Sequence, residues 1–165
     1  MICFLDMDGV LVDFNKGIHE FYDTPYSEKD FPYKKGCGSR NTLPKDAVGI
    51  HGSDFWDALT EDFWADLPWM ETGRSLLSSV ECTFGLSQIC LLTRTTGVHC
   101  ASGKIRWIQN NIPRYSDRFL IGRVKKFCAH DRAVLVDDDD QNLKEFVNCG
   151  GHGVLVPQIW NSDCC

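Results

Sequence analysis

Five short apolar runs constrain what this chain can fold into: Met1 to Leu5, Gln88 to Thr93, Arg118 to Gly122, Ala133 to Val136 and Gly153 to Val156. Each is too short for a buried helix. Near-continuous apolarity without alternation is what a strand buried on both faces requires. Between them the spacing turns helical. Phe14, Ile18, Phe21 and Tyr22 share one face, as do Leu76, Leu77 and Val80 between Thr72 and Glu81. Cys100, Lys104, Trp107 and Ile108 are in register between Gly97 and Asn111, stopped by Pro113, and Gln141 to Val147 ends at Gly150-Gly151. Strands alternating with helices predict an α/β fold, a doubly wound, Rossmann-like parallel sheet of about five strands.

Four of the five runs end in polar or charged residues. The first delivers Asp6 and Asp8 beside Gly9, the second Thr93, the third Arg123, Lys125 and Lys126, and the fourth Asp137 to Asp140. In open parallel sheets ligands sit outside the carboxyl ends of the strands, so these side chains share the edge where chemistry is expected. No Lys or Arg occurs in the first fifteen residues, so Asp6 and Asp8 repel each other unless a cation lies between them. Carboxylate and carbonyl oxygens are hard ligands, and magnesium is the expected ion. Periodicity does not give strand order. If the first and fourth strands are neighbours, their ends lie about 5 Å apart, and Asp6, Asp8 and Asp138 can share one ion.

At 165 residues the chain is one domain's worth, with room for a small insertion. A net charge of −6 argues against a long nucleic acid as partner. No run approaches the roughly 18 apolar residues of a membrane span. The N-terminus enters Asp6 without a basic leader, so the expected location is the cytoplasm. Nine cysteines are scattered without a C-x-x-C pair. They read mainly as reduced core thiols, with Cys164 and Cys165 in a mobile tail.

From Asp23 to Gly52 the chain is rich in Pro, Gly, Lys and Tyr, too long for a simple connector, and is expected to form a lid or binding element. Two helical turns should follow, capped by Ser53 and Thr60. This stretch carries Trp56, Trp64 and Trp69, three of the five tryptophans. They either pack the insertion against the core or form an aromatic wall that stacks a flat group such as a nucleobase.

The order acid-x-acid, Thr, Lys, acid-acid resembles the haloacid dehalogenase superfamily of phosphohydrolases. Phe4-Leu-Asp-Met-Asp-Gly-Val10 stands for motif one, Leu91-Leu-Thr93 for motif two, Lys125 or Lys126 for motif three, and Val134-Leu-Val-Asp-Asp138 for motif four. Asp-Met-Asp-Gly-Val with the Phe-Trp repeats is most similar to the 5′(3′)-deoxyribonucleotidase branch. The resemblance implies a core of residues 1–13 and 80–165 with a small, mostly helical cap at 14–79. It implies a magnesium-dependent phosphomonoesterase working through an aspartyl-phosphate on a small phosphorylated substrate, a nucleotide being the best guess. Asp6 would be the nucleophile and Asp8 the general acid and base. Thr93 would bind a phosphoryl oxygen and Lys125 would neutralise charge. Arg94 and Lys126 are further phosphate candidates, and Trp56, Trp64 and Trp69 candidates for the base. Magnesium would be held by Asp6, the Asp8 carbonyl and Asp138, with Asp137 in support and Asn142 behind it. Three competitors remain: a phosphatase of another metabolite such as a sugar phosphate, a metal-dependent glycosyltransferase, and a non-enzymatic phospho-acceptor signalling domain.

Overall fold

The structure is a computed structural model and describes residues 1–25 and 53–161. The excursion expected at Asp23 to Gly52 lies almost wholly outside them, as do Cys37, Cys164 and Cys165.

The strands are β1 (Ile2–Leu5), β2 (Ile89–Thr93), β3 (Phe119–Ile121), β4 (Ala133–Asp137) and β5 (His152–Leu155), all parallel, in the order β3-β2-β1-β4-β5. β1 is central and pairs with β4, Leu5 opposite Val136. Alternate residues serve two cores. Cys3, Leu5, Ile89, Leu91, Val134 and Val136 join one, with Trp107, Ile108 and Tyr115, while Phe4, Leu92, Ala133 and Leu135 join the other, with Leu143 and Phe146. Burial on both faces is why these runs read as continuously apolar.

The helices are α1 (Phe14–Phe21), α2 (Ser53–Asp57), α3 (Glu61–Ala65), α4 (Gly73–Phe84), α5 (Val98–Asn111) and α6 (Asp140–Asn148). α1 is capped by Asp13, whose Oδ1 accepts from the Lys16 amide at 2.9 Å. Thr60 caps α3 through the Phe63 amide, as expected, whereas Ser53 is already the first residue of α2. α4 runs past Glu81 to Phe84, because no breaker intervenes before Gly85, which takes φ +77°. Two of the aspartates after β4 serve α6: Asp139 accepts from the Gln141 and Asn142 amides, and Asp140 lies in the first turn, where a negative charge suits the helix dipole.

The six described cysteines are free. Cys3 and Cys100 are core thiols and Cys90 and Cys128 are half-buried, but Cys82 and Cys149 are exposed. Burial pushes the Cys3 thiol up to about 12. No described helix is long and apolar enough to cross a membrane.

α3 packs against α5 at a glycine. A Cβ at Gly103 would strike Trp64 Cβ and lie 2.5 Å from the Glu61 carbonyl oxygen. Arg106 on α5 holds Glu61 and Asp62 at 2.9 and 2.8 Å along the same contact. Forcing apart two packed helices costs roughly 1–3 kcal/mol. Gly103→Ala should therefore lower the unfolding free energy by about that amount in a urea titration, and an unchanged midpoint would show that the two helices are free to separate.

Candidate active site

β1 and β4 end side by side. The Asp6 amide donates to the Val136 carbonyl at 3.0 Å, which sets Asp6 next to Asp137 and Asp138. Carboxylate oxygens of Asp6, Asp137 and Asp138 lie within 4.8 Å of one another, all three buried. Gly9 makes this approach possible. It takes φ +74°, and a Cβ there would collide with the Asp138 carboxylate. The segment after β5 supports both: Trp160 Nε1 donates to Asp138 Oδ2, Asn161 Nδ2 to the Asp138 carbonyl at 3.1 Å, and Gln158 Nε2 to the Gly9 carbonyl at 2.7 Å.

Among the described residues one cation reaches the cluster. Lys125 Nζ lies 2.7 Å from Asp6 Oδ1 and 2.7 Å from Asp137 Oδ2. Burial alone would lower its pKa, but the two carboxylates outweigh burial and hold it firmly protonated. Three carboxylates and one ammonium still leave two negative charges in a dry place. Burial, partly offset by Lys125 and reinforced by Asp137 and Asp8, raises Asp6 to about 7. Asp138 is raised as well, by burial first and then by Asp137 and Asp6. A buried set of hard oxygen donors short of positive charge fits a divalent cation.

A second lysine completes the edge. Lys104 on α5 is only 2% exposed, and its ammonium donates to Asp8 Oδ2, to Thr93 Oγ1 at 2.8 Å and to the Arg94 carbonyl at 2.7 Å. Asp8 Oδ1 is buried without a hydrogen-bond partner among the described residues. Beside it opens a pocket of about 400 Å³ lined by Asp8, Phe14, Trp56, Trp64, Arg94 and Lys104. Phe14 lies nearly parallel to Trp56 and to Trp64, with interplanar angles of 10° and 11°.

Comparison with known proteins gives this edge a family. Residues 1–162 match the family described as 5′ nucleotidase, deoxy (Pyrimidine), cytosolic type C protein. The chain belongs to this family. It is thus a haloacid dehalogenase-type hydrolase, an enzyme of the phosphatase class. A hydrolase of the haloacid dehalogenase-like family from Streptococcus pneumoniae, SP0104, has the same fold, with a TM-score of 0.55 and 16% identity over 98% of this chain and 87% of that one. No curated protein matches significantly.

In this nucleotidase-family enzyme Asp6, Asp8, Thr93, Lys125, Asp137 and Asp138 all gather at one edge. Lys126, by contrast, is 40% exposed and pairs with Glu145 at 3.6 Å, while its neighbour takes the buried position. Asp137 is occupied by Lys125, the Asp139 amide and Asn142 Nδ2, which leaves Asp138 the freer of the two toward an ion. Trp56 and Trp64 line the pocket. Trp69 does not: it packs on Trp107 at 4.8 Å, donates to Asn111 Oδ1 and lies under Arg74, bracing α5. The sequence reading missed Lys104, whose signal was a lysine in register with apolar residues on a buried helix face. It also missed Trp160 and Asn161, which follow the one strand end that looked uninformative.

The charge imbalance makes stability depend on pH. Folded Asp6 keeps its proton up to about 7, whereas an unfolded aspartate loses it near ~3.9. The metal-free fold therefore binds more protons and loses stability as pH rises through that window. The melting temperature of metal-free protein should fall between pH 5 and pH 8, and added magnesium should raise it more at pH 8 than at pH 5. A magnesium effect equal at both would show that the acids do not share the ion.

Proposed function

We propose that this nucleotidase-family enzyme is a magnesium-dependent phosphatase of deoxyribonucleoside monophosphates that works through an aspartyl-phosphate. The observation that carries the reading is that Asp6, ion-paired to Lys125, sits in a buried acid cluster at the same sheet edge as Asp8, which lines an aromatic pocket. The family's own description supports the substrate class and a cytoplasmic location.

In the first step an Asp6 carboxylate oxygen attacks phosphorus and the ester bond breaks. Asp8 gives its proton to the leaving nucleoside oxygen, and Lys104 fixes the Asp8 carboxylate by one oxygen while the other has no partner among the described residues. Thr93 already accepts from Lys104, so its hydroxyl proton is available for a phosphoryl oxygen. Lys125 lies where it meets both the nucleophile and the charge that builds on phosphorus. In the second step water attacks the phosphoryl-enzyme, Asp8 takes the water proton, and phosphate leaves Asp6. Magnesium held by Asp6, Asp138 and the Asp8 carbonyl would neutralise phosphoryl charge, with Asp137 acting through Lys125 and Asn142 behind it.

The base would lie against the wall of Phe14, Trp56 and Trp64, with Arg94 at the mouth of the pocket. The segment 14–79 would be the small cap on a core of residues 1–13 and 80–165, returning the chain to the core within α4. Trp69 would serve that cap by packing, and Lys126 would act on substrate only at long range. Nothing in the charge balance suits a long nucleic acid.

Asp6→Asn should abolish phosphate release from nucleotides and aryl phosphates while the far-UV spectrum stays native, and undiminished release would discard the mechanism. Base stacking on an aromatic side chain contributes roughly 1–3 kcal/mol. Trp56→Ala should therefore raise the nucleotide KM about tenfold or more and spare aryl phosphates. Sugar phosphates turned over better than nucleotides by the native enzyme would make it a phosphatase of another metabolite.

A further inference from the structure

We infer a second anion site beside the phosphoryl site, a recess that takes a phosphate dianion. It builds on the phosphatase reading above, because that reaction generates the ligand. The recess has a volume of about 260 Å³ and is lined by Arg94, Arg123, Lys125, Lys126, Asn142 and Glu145. Asp8 lines the aromatic pocket and not this recess, and Asp6 lines neither, so the recess opens on the Lys125 side of the acid cluster, away from the aromatic wall.

The sheet builds it. Thr93 pairs with Ile121, and the Gly122 amide donates to the Thr93 carbonyl at 2.9 Å, so β2 and β3 end level. Arg94 is the first residue after β2 and Arg123 the second after β3, and both line the recess. The 3₁₀ turn Lys125–Cys128 forms the next wall and α6 the last. Neither guanidinium has an ion-pair partner among the described residues. In a chain of net charge −6, two arginines without an ion-pair partner among the described residues face a recess whose described lining holds one carboxylate, Glu145, bridged to Lys126, and form a local positive site. Guanidinium groups bind phosphate oxygens bidentately, which suits this chemistry better than a lone ammonium does.

The site is also coupled to the catalytic centre. Lys125 forms part of its wall and bonds Asp6, and Asn142 forms part of its wall and bonds Asp137 at 3.2 Å. Arg94 lines both this recess and the aromatic pocket. Orthophosphate leaving Asp6 would thus meet the recess on its way out, and it can enter the recess while a new ester occupies the aromatic pocket.

The test is product inhibition of aryl phosphate hydrolysis by orthophosphate, together with calorimetric titration of the magnesium-loaded protein. Two sites predict mixed inhibition, with an effect on kcat as well as on KM, and two phosphates bound per chain. Arg123→Gln should weaken the kcat effect at least tenfold and remove one bound phosphate. Purely competitive inhibition with one phosphate per chain would overturn the site, as would an Arg123→Gln variant indistinguishable from native. A second source of the same chemistry is a further phosphoryl group on the substrate. A nucleoside bisphosphate KM below that of the monophosphate, lost in Arg123→Gln, would assign the recess to it. Absence of any turnover would remove the phosphatase reading, while the titration would still count the sites.

Discussion

The contact of the Lys125 ammonium with Asp6 and Asp137 is the interaction on which the rest depends. Three acids meet at the end of two adjacent strands in a place that water barely reaches. Among the described residues Lys125 is the cation in contact with the cluster, and it partly offsets the burial that raises Asp6. With Lys125 in place the cluster is still short of positive charge by two, which is the valence of one hard cation. The same pairing divides labour between neighbours in sequence. Asp137 holds the lysine, and Asp138 is left the freer of the two for a cation.

The fold delivers these groups because β1 is central and β4 lies next to it, so both strand ends belong to the buried middle of the sheet. Two further devices set the final geometry. Gly9 has no Cβ where the Asp138 carboxylate must lie. The turn after β5 folds back so that Trp160 and Asn161 hold Asp138 by its side chain and by its carbonyl. On the opposite flank, Lys104 reaches from α5 to fix Asp8, Thr93 and the Arg94 carbonyl together. Asp8, the proposed acid, and Thr93, the proposed phosphoryl-binding hydroxyl, are therefore positioned by one buried ammonium, itself 5.5 Å from the Trp64 ring centroid.

Much of this is legible from residues alone. Parallel strands buried on both faces write continuous apolar runs, and the polar residues at or beyond the ends of four of the five runs point to the edge where Asp6, Thr93, Lys125 and Asp138 gather. Strand order is not written in periodicity, and it decided whether Asp6 and Asp138 could meet. Lys104 escaped because helical periodicity assigns a buried position to the core without asking whether its charged end finds partners. Trp69 misled for the opposite reason. Ring composition cannot separate a residue that lines a pocket from one that braces α5, and only the contact with Trp107 does so. Lys125 and Lys126 differ by one residue, and the tight turn that carries them buries one and exposes the other.

The central claim is that side chains from β1 and β4 share one divalent cation. Titration with manganese, followed by water-proton relaxation, tests it most directly. The account predicts one bound ion per chain, displaced by magnesium, and loss of that binding in Asp138→Asn while the far-UV spectrum stays native. Binding by Asp138→Asn at the native affinity would contradict it.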